Sequence, residues 1–591
     1  VLAIDEDGKM AKMAGEYAGM DRFKARQKMV ERLDSEGLLE KIEDHSHAVG
    51  HCYRCNTTIE PYLSNQWFVR MKPLAEPAIS LVRRGKVRIH PNRWEGVYFN
   101  WMENIRAWCI FRQLWWGHRM PVYWCDDCGK YTVAREMPEA CPHCESTNMR
   151  QDDNVLDTWF SSWLWPFATM GWPDLSAEEL KAFFPTDTLS TANEIIFFWV
   201  ARMIMASVHF MGELPFTDVY IHGTVRDNQG RKMSKSLGNG IDPLKVVDEY
   251  GRDALRFTML FQAAAGQDIY LGIDSFEEGR NFTNKLWNAA RLLLTNVEAG
   301  GWTLEELRST PAAEAEDKWI LTRLPQTVAK VEKAIGDFNL ADGIKTIYSF
   351  FWNDFCSWYL EMIKPRLFDK PAGDPVEKIA IRVLVDILHI LQPFTPFVAE
   401  ELFHILKDND IVRTDINSIT VAPFPPVQKE NRDMAALENF NLFMEITGQI
   451  RNIKAELGLA NQKKGELNLI APKARMDFLK PIEDDLMRLA KIEGVKFIDT
   501  KPGVPSAAAV VGDVEVYLPL GDMVDIQKEI EKIDKEIKRT ESQIMGSEKK
   551  LASPQFTDKA PENIVQRERQ KLSDMKEKLE KLRSQKESFE K

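Results

Sequence analysis

Hydrophobic periodicity divides the chain into regions of different pattern. From 156 to about 262, apolar strand-like runs such as VYIHGTV alternate with helical runs such as EIIFFWVARMIMASV, which indicates a parallel α/β sheet. From about 276 to 455 the apolar spacing is almost wholly helical and predicts a helical bundle. Residues 456–520 mix strand and helix patterns, and residues 1–50 are polar with one amphipathic helix, roughly 21–40.

The last 70 or so residues predict two helices, each with one apolar seam. The seam positions alternate spacings of four and three residues on either side of the segment SPQFTDKAPEN, which predicts an antiparallel helical hairpin. A solvated coiled coil that holds another protein chain is one interpretation of this pattern. The seam positions are Ile526, Ile530, Ile533, Ile537, Thr540 and Ile544, then Val565, Glu568, Leu572, Met575, Leu579, Leu582, Lys586 and Phe589.

Length and charge narrow the classes of function. A chain of 591 residues is too long for one core, so three to five domains are expected. The net charge of −12 argues against a uniform nucleic-acid-binding surface but allows local basic patches. The most apolar segment, 195–211, contains Arg202 and His209 and is short for a membrane span, so we expect a buried helix and no membrane partner. The chain opens at Val1 in mid-pattern without a signal peptide, and we expect it to be a fragment.

Two C-x-x-C pairs, twelve residues apart, predict a metal site. Each pair can place two thiolates on one side of a tetrahedron, which is typical of a closed structural Zn²⁺ site with no open position for chemistry. Four buried thiols without metal are the alternative. The predicted ligands are Cys125, Cys128, Cys141 and Cys144.

A third C-x-x-C pair, Cys52 and Cys55, lies beside His51 and is half of such a metal site. We expect its partner cysteines upstream of residue 1. Cys109 and Cys356 are single and lie in apolar contexts, so packing is their expected role.

The segment RKMSKSLGN, residues 231–239, brings two lysines within three positions of each other. We call it the lysine loop. It contains nothing apolar enough to anchor it as core, and it follows an apolar strand of the predicted parallel sheet. Ligands collect at the carboxyl ends of such strands, where ammonium groups can spread over the oxygens of a triphosphate. An ordinary surface lysine pair is the alternative.

The motif KMSKS, residues 232–236, matches the second signature of class I aminoacyl-tRNA synthetases. Within that class the chain resembles the valyl-tRNA synthetase family, on WCIFRQLWWGHRMPVYWC (108–125), LDTWFSSWLWPFATMGWP (156–173) and EIIFFWVARMIM (194–205). The bundle segments LQPFTPFVAEELF and IRNIKAELGL and the coiled-coil tail are also similar to this family. The resemblance covers essentially the whole chain.

The resemblance implies a multidomain α/β plus all-α protein that contains the second half of a Rossmann-like catalytic fold. The implied domains are the tail of an editing (connective) domain (1–50), a connective region with a zinc ribbon (51–155), the second half of the catalytic domain (156–275), a helical stem-contact and anticodon-binding domain (276–455), a small α/β linker module (456–520) and a coiled-coil tRNA-binding arm (521–591).

The resemblance also implies valine–tRNA ligase chemistry, in which valine and ATP form valyl-adenylate and the acyl group passes to tRNA(Val). Lys232 and Lys235 would hold the departing pyrophosphate with the help of Mg²⁺. The valine pocket would include Trp159, and also Ile195 and Trp199 because positions i and i+4 share a helical face; Glu194 would lie near the adenylate. Residues implied to contact ATP are His222, Gly223, Lys232, Met233, Ser234, Lys235 and Ser236.

The sequence departs from the family pattern in three ways. The HIGH signature is absent from the 591 residues, and HAVGH (47–51) precedes a cysteine pair rather than a nucleotide-binding helix. In the family, the first half of the catalytic fold and most of the editing domain precede this text. Phe111 and the segment STANEI (190–195) replace more usual residues of the adenylate region.

We therefore expect a cytoplasmic monomer that holds one wall of the ATP site and does not aminoacylate by itself. A non-catalytic tRNA-binding remnant and a coiled-coil interaction protein are the alternative functions.

Overall fold

The computed structural model describes residues 2–52, 55–60, 62–234, 237–263, 266–427, 433–457, 465–520, 526–553 and 562–590. By compactness the chain forms two units, residues 1–222 and residues 223–591. The boundary falls inside the stretch 156–275 for which the sequence implies one catalytic domain. The two units are described separately.

A three-stranded parallel sheet lies at the centre of the first unit. Its middle strand, Phe216–His222, pairs with Arg88–His90 on one side and with Thr186–Ala192 on the other. The parallel pairing agrees with the alternation of strand and helix patterns in the sequence. The strand Arg88–His90 was not predicted, because three residues are too few to show a period of two.

The helices of the first unit cover this sheet with a core of buried apolar side chains that includes Tyr98, Phe167, Val200 and Phe216. Among the described residues, Asn193–Met211 is the only stretch long and apolar enough to cross a membrane, and half of its most apolar part is buried within the protein. The α-helices are Arg22–Ser35, Lys72–Arg83, Arg93–Glu103, Thr158–Ser162, Trp165–Ala168, Glu178–Phe183 and Arg202–Met211, with 3₁₀ turns at Lys12–Tyr17 and Asn193–Ile195 and a π-helix at Ile196–Ala201.

The remaining strands of the first unit are short. Val122–Cys125 pairs antiparallel with Tyr131–Val133 and with Met149–Gln151. We call residues 122–151 the cysteine ribbon. Two further antiparallel pairs are Phe68–Val69 with Trp108–Cys109, and Phe111–Arg112 with Val155–Leu156.

The second unit begins with the segment that contains the lysine loop. The strand Val225–Arg226 pairs in parallel with Ile269–Tyr270. Three helices, Pro243–Tyr250, Arg252–Gln262 and the 3₁₀ turn Ile273–Ser275, complete this segment. Asp242 caps the first of them by accepting a hydrogen bond from the backbone N–H of Leu244.

A helical bundle follows, in agreement with the helical periodicity of residues 276–455. Its core contains Trp319, Phe351, Phe355 and Tyr359, all of them fully buried. The helices are Phe276–Asn296, Leu304–Ser309, Ala315–Gly336, Leu340–Tyr348, the π-helix Ser349–Tyr359, Leu360–Asp369, Val376–Leu391, Pro396–Asp408, the 3₁₀ turn Ile419–Val421 and Met434–Glu456; the strands Trp302–Thr303 and Val412–Arg413 pair in parallel.

A four-stranded mixed sheet forms the next module, with the strands in the order Gly494–Phe497, Glu466–Ile470, Val514–Pro519 and Ser506–Val511. The helices Lys473–Leu479 and Glu483–Ala490 and the 3₁₀ turn Lys480–Ile482 belong to it.

Two long helices, Ile526–Leu551 and Glu562–Glu590, end the chain, and we call them the helical arm. They run antiparallel, since Lys550 pairs with Glu568 while Lys586 pairs with Asp534. The seam residues buried between them include Ile533, Thr540, Ile544, Val565 and Met575. The side chains of the seam residues Ile526 and Phe589 lie outside the described residues.

Candidate functional site

The lysine loop begins directly after the strand Val225–Arg226 in the second unit. Residues 227–231 form a turn, after which Lys232 pairs by a backbone bridge with Arg226. Lys232 is exposed and lies close enough to Asp268 to help hold the pKa of that carboxyl below its usual range, although a hydrogen bond from Arg226 is the larger cause. Lys235 and Ser236 lie outside the described residues.

Met233 gives the loop an apolar anchor that the sequence analysis did not find. Its backbone N–H donates to the carbonyl of Val225 at 3.2 Å, and its half-buried side chain packs against a cluster formed by Val246, Ile269, Leu271 and Phe276. A cavity of about 340 Å³ is lined by Met233, Val246, Leu271 and Phe276 among others. The expectation that the loop has nothing to anchor it is wrong, because one methionine reaches an apolar cluster supplied by distant residues.

Asp227 and Asn239 join the two ends of the loop. The Asn239 Nδ2 donates to Asp227 Oδ2 at 2.9 Å and to the Lys232 carbonyl at 3.3 Å. Its Oδ1 accepts from the backbone N–H of Ser234 at 3.0 Å. Asp227 also accepts from the backbone N–H groups of Gln229 and Arg231 and from the Arg231 guanidinium. Sequence reasoning missed both residues: Asn239 is the last residue of the motif, and Asp227 lies four residues before its first.

Gly223 is required by close packing. A Cβ at this position would lie 1.7 Å from the carbonyl oxygen of Gln267, and no side chain fits there. His222, the preceding residue, is exposed at the end of the strand Phe216–His222 in the first unit. Close packing therefore explains why position 223 is a glycine, independently of any ligand.

Trp159, the residue expected in the valine pocket, lines a cavity of about 690 Å³ in the first unit. Its ring stacks on Phe198 with the centroids 5.7 Å apart. Aromatic side chains form much of the wall, together with an ion pair and two asparagines. The lining residues are Met71, Asn100, Trp101, Asn104, Ile105, Arg106, Ala107, Trp108, Cys109, Arg112, Asp157, Trp159, Phe197, Phe198 and Arg202.

Ile195 and Trp199 do not line this cavity. The sequence analysis placed them on one face of an α-helix, but the structure has a 3₁₀ turn at Asn193–Ile195 and a π-helix at Ile196–Ala201. The α-helical angle between positions i and i+4 therefore does not apply here. The Trp199 Nε1 donates to the carbonyl of Ser162 at 3.0 Å, and the exposed Glu194 lies in the 3₁₀ turn.

Charged side chains in the same wall were missed by sequence reasoning. Asp157, which is buried, accepts from Trp108 Nε1 at 2.9 Å and pairs with Arg112 at 2.7 Å. Arg202 is 4% exposed, and its guanidinium stacks over the Trp108 ring at 3.6 Å. Burial lowers the pKa of Arg202 to about 10. Two features of the sequence could have indicated these residues: an arginine inside an apolar run and an aspartate two residues before Trp159.

The ribbon brings its four cysteines together. All four Sγ atoms lie within 4.8 Å of one another, with Cys125 and Cys144 at 3.6 Å and Cys128 and Cys141 at 3.7 Å. Four thiolates at about 2.3 Å from a central Zn²⁺ would be about 3.8 Å apart, so this donor set fits zinc. It is the only cluster of three or more candidate metal ligands among the described residues.

Each ribbon cysteine pair sits in a turn with the same hydrogen bonds. The backbone N–H of Cys125 donates to the carbonyl of Lys130, and that of Cys141 donates to the carbonyl of Ser146. The N–H of Gly129 donates to the carbonyl of Cys125, and that of Glu145 donates to the carbonyl of Cys141. Gly129 and Glu145 both have a positive φ.

Cys52, Asn56 and Thr57 share backbone hydrogen bonds of the same kind. The N–H of Cys52 donates to Thr57, that of Asn56 donates to Cys52, and Asn56 has a φ of 58°. These two hydrogen bonds and the positive φ match those of the ribbon cysteine pairs, but no second pair of ligands lies beside Cys52 and Cys55 among the described residues.

Comparison with protein families gives three matches in succession. Residues 9–272 match tRNA synthetases class I (I, L, M and V), residues 317–470 match the anticodon-binding domain of tRNA ligase, and residues 525–589 match the valyl tRNA synthetase tRNA binding arm.

Similar proteins over nearly the whole chain are valine–tRNA ligases. The enzyme of Thermotoga maritima is 45% identical over 98% of this chain, and that of Petrotoga mobilis is 44% identical over 99%. The chain covers 65% and 66% of these two relatives. Among solved structures, a methionyl-tRNA synthetase of Mycobacterium tuberculosis is similar with a TM-score of 0.47 and 18% identity, over 66% of this chain and 68% of that one.

Proposed function

We propose that this chain, a member of the valyl-tRNA synthetase family, provides the lysine loop and the RNA-binding parts of a valine–tRNA ligase. The observation that carries the proposal is the 45% identity with a valine–tRNA ligase over 98% of this chain. The lysine loop supports it, because the loop follows a strand of a parallel pair, where ligands of α/β folds collect.

The proposed chemistry has two steps. In the first, the carboxylate of valine attacks the α-phosphorus of ATP, an oxygen–phosphorus bond forms, and pyrophosphate leaves. In the second, a hydroxyl of the tRNA(Val) 3′ end attacks the acyl carbon and AMP leaves. Neither step needs a nucleophile from the protein, so positioning and charge stabilisation provide the rate.

In this proposal Lys232 and Lys235 stabilise the departing pyrophosphate, and Mg²⁺ would add positive charge on the phosphates. His222, Gly223, Met233, Ser234 and Ser236 are the proposed ATP contacts. Of these, Met233 has a second role as the anchor of the loop, and Gly223 has a packing role. Both roles would hold the contact surface in place.

Trp159 is proposed to limit the size of the amino-acid side chain, and Glu194 is proposed to lie near the adenylate. Its stacking on Phe198 restricts the ring, which suits a residue that discriminates by shape. The ion pair of Arg112 with Asp157 supports this, because Asp157 immediately precedes the short helix that carries Trp159.

The bundle and the helical arm are proposed to bind tRNA through phosphates and unpaired bases. Zn²⁺ is proposed for Cys125, Cys128, Cys141 and Cys144, where it would supply folding energy to the ribbon. We propose that Cys52 and Cys55 also hold metal, but only with ligands from outside the described residues. A cytoplasmic location and a monomeric state complete the proposal and rest on the resemblance alone.

The decisive experiment measures valine-dependent pyrophosphate exchange in a protein that contains this chain and spans the full length of the relatives. We expect Lys235→Ala to lower the exchange rate by about a hundredfold or more, as the loss of a transition-state contact does. Lys245→Ala, another exposed lysine of the same unit, is the matched control and should keep near-normal exchange.

Binding of tRNA to residues 1–591 is measured in parallel. Near-normal exchange in Lys235→Ala would contradict the assignment of the loop. Binding of tRNA without any exchange in the full-length protein would favour the non-catalytic remnant, and robust aminoacylation by residues 1–591 alone would contradict the proposed division of the active site.

A further inference from the structure

The ammonium group of Lys232 sits at the end of a flexible stem, and its backbone must be fixed if the charge is to meet a phosphate at a set place. Two contacts already described hold the entry side of the loop: the backbone bridge from Lys232 to Arg226 and the packing of Met233. Neither contact reaches the exit side, residues 237–239.

The exit side is tied to the entry side by Asn239. Its amide spans three groups, namely the Asp227 carboxylate, the Lys232 carbonyl and the Ser234 N–H. The amide can face only one way, because the reversed orientation would oppose its NH₂ to the Ser234 N–H and its oxygen to a carboxylate. A weaker tie, from the Leu237 N–H to the Ser234 hydroxyl at 3.3 Å, lies beside it.

Asp227 is itself held rigidly. Its carboxylate is 14% exposed and accepts from two backbone N–H groups, from Arg231 and from Asn239. The hydrogen bond from Asn239, followed by those from Arg231 and Gln229, holds the pKa of this carboxyl far below its usual range. The negative charge is therefore permanent at physiological pH.

We propose that Asp227 and Asn239 are positioning residues of the lysine loop, which together set the place of Lys232 relative to the strand Val225–Arg226. The consequence for catalysis rests on the proposed function, but the positioning itself does not. Asp227 and Asn239 need touch no substrate; they act through the backbone of residues 232–234.

The first test uses residues 1–591 and measures trypsin cleavage of the Lys232–Met233 bond by mass spectrometry. Cleavage follows the population of the locally opened loop, so loss of the Asn239 hydrogen bonds in Asn239→Ala should speed it about tenfold. Leu237→Ala is the matched control, because Leu237 lies in the same turn and is 60% exposed. Equal cleavage rates in the two variants would overturn the proposal.

Exchanging the aspartate and the asparagine of positions 227 and 239 tests whether the contact between them holds the loop, and it controls for general misfolding. Asn239→Asp alone places two carboxylates against each other, and cleavage should exceed that of Asn239→Ala. Adding Asp227→Asn removes the repulsion and restores one hydrogen bond between the two side chains with the roles reversed. The Lys232 carbonyl and the Arg231 guanidinium still lose their partners, so cleavage should fall below that of Asn239→Asp without reaching the wild-type rate. Cleavage of the double variant as fast as that of Asn239→Asp, with its circular dichroism unchanged, would contradict a specific pair.

The catalytic consequence is measured by pyrophosphate exchange in the full-length protein. Asn239→Ala should lower kcat about tenfold, as expected for a modest loss of positioning, and leave the KM for valine unchanged. A wild-type protein without exchange would refute the proposed function and leave the cleavage result standing. An active wild type in which Asn239→Ala has normal kcat would refute the positioning role.

Discussion

The cysteine ribbon and the helical bundle hold themselves together by different means. In the ribbon, the buried apolar side chains are almost limited to Val122, Tyr123 and two cysteines, and its strands are three or four residues long. In the bundle, every residue from Ile379 to Leu391 of the helix Val376–Leu391 is buried, and aromatic rings contact one another through the interior. Apolar area can stabilise the bundle, but the ribbon needs another source of free energy.

The bundle and the ribbon also differ in the charged groups that their interiors hold. The bundle buries Arg366 among three carboxylates, Glu316, Asp317 and Asp374, and Tyr359 donates a hydrogen bond to Asp317. Such a network is tolerable only because the surrounding core overcomes its desolvation cost. In the ribbon the four sulfurs converge without any comparable core, which is the arrangement that a metal ion completes.

The largest expected effect is loss of the ribbon in Cys128→Ser. Structural zinc sites supply about 10 kcal/mol or more of apparent free energy, so removing one ligand should release the metal and unfold residues 122–151. Zinc content should fall from one ion per chain to none, and hydrogen exchange should rise in the ribbon but not in the bundle. Cys109→Ser, outside the cysteine pairs, is the control and should keep its zinc.

The next effect concerns the bundle. Phe355→Ala removes a fully buried ring and should lower the free energy of unfolding of the bundle by about 3–5 kcal/mol. Phe368→Ala, whose ring is 53% exposed on a neighbouring helix, should change it by less than about 0.5 kcal/mol. Denaturant unfolding, followed by the fluorescence of the bundle, measures both changes in the free energy of unfolding. Similar losses of stability in the two variants would mean that burial of the ring does not determine the loss.

The buried charges predict a pH dependence. Burial, reinforced by Asp317, raises the pKa of Glu316 from about 4.5 to about 7. A carboxyl whose pKa is raised in the folded state contributes most to the stability of that state below its ordinary pKa. This contribution to stability is lost as the pH rises through 7. Between pH 5 and 8 the wild type should therefore lose about 2.5 kcal/mol more stability than Glu316→Gln. Parallel pH profiles for the two proteins would contradict this cause.

The smallest expected effect is at the third cysteine pair. Cys52→Ser should leave the zinc content of residues 1–591 at one ion and the ribbon intact, because Cys52 and Cys55 have no second pair of ligands beside them among the described residues. Elemental analysis after refolding in excess zinc tests this. Two tightly bound ions per chain would show that the half-site is complete in this polypeptide.

The sequence could predict those features that depend on neighbours along the chain. The C-x-x-C pairs, the helical periodicity of the bundle and the two seams of the arm are local patterns, and the structure contains each arrangement. The pairing of Ile195 with Trp199 on one face failed because a π-helix changes the angle between successive residues. No pattern of neighbouring residues in the sequence predicts such a change.

The contacts that were missed are set by tertiary structure. Met233 reaches apolar residues as distant in sequence as Phe276, and Asp157 meets Trp108 across 49 positions. Asn239 was missed for a different reason: its partners are near in sequence, but only the shape of the turn decides which of them its amide can reach.

The parallel sheet of the first unit has a practical consequence for work with this chain. Thr186–Ala192 is an edge strand of seven residues, with one side hydrogen-bonded to Phe216–His222 and no strand on its other side among the described residues. Asp187 is the only charged side chain along it. An edge of this length with so little charge is a template for strand addition, so concentrated solutions of the chain should self-associate there, and a lysine placed at Ser190 should improve solubility.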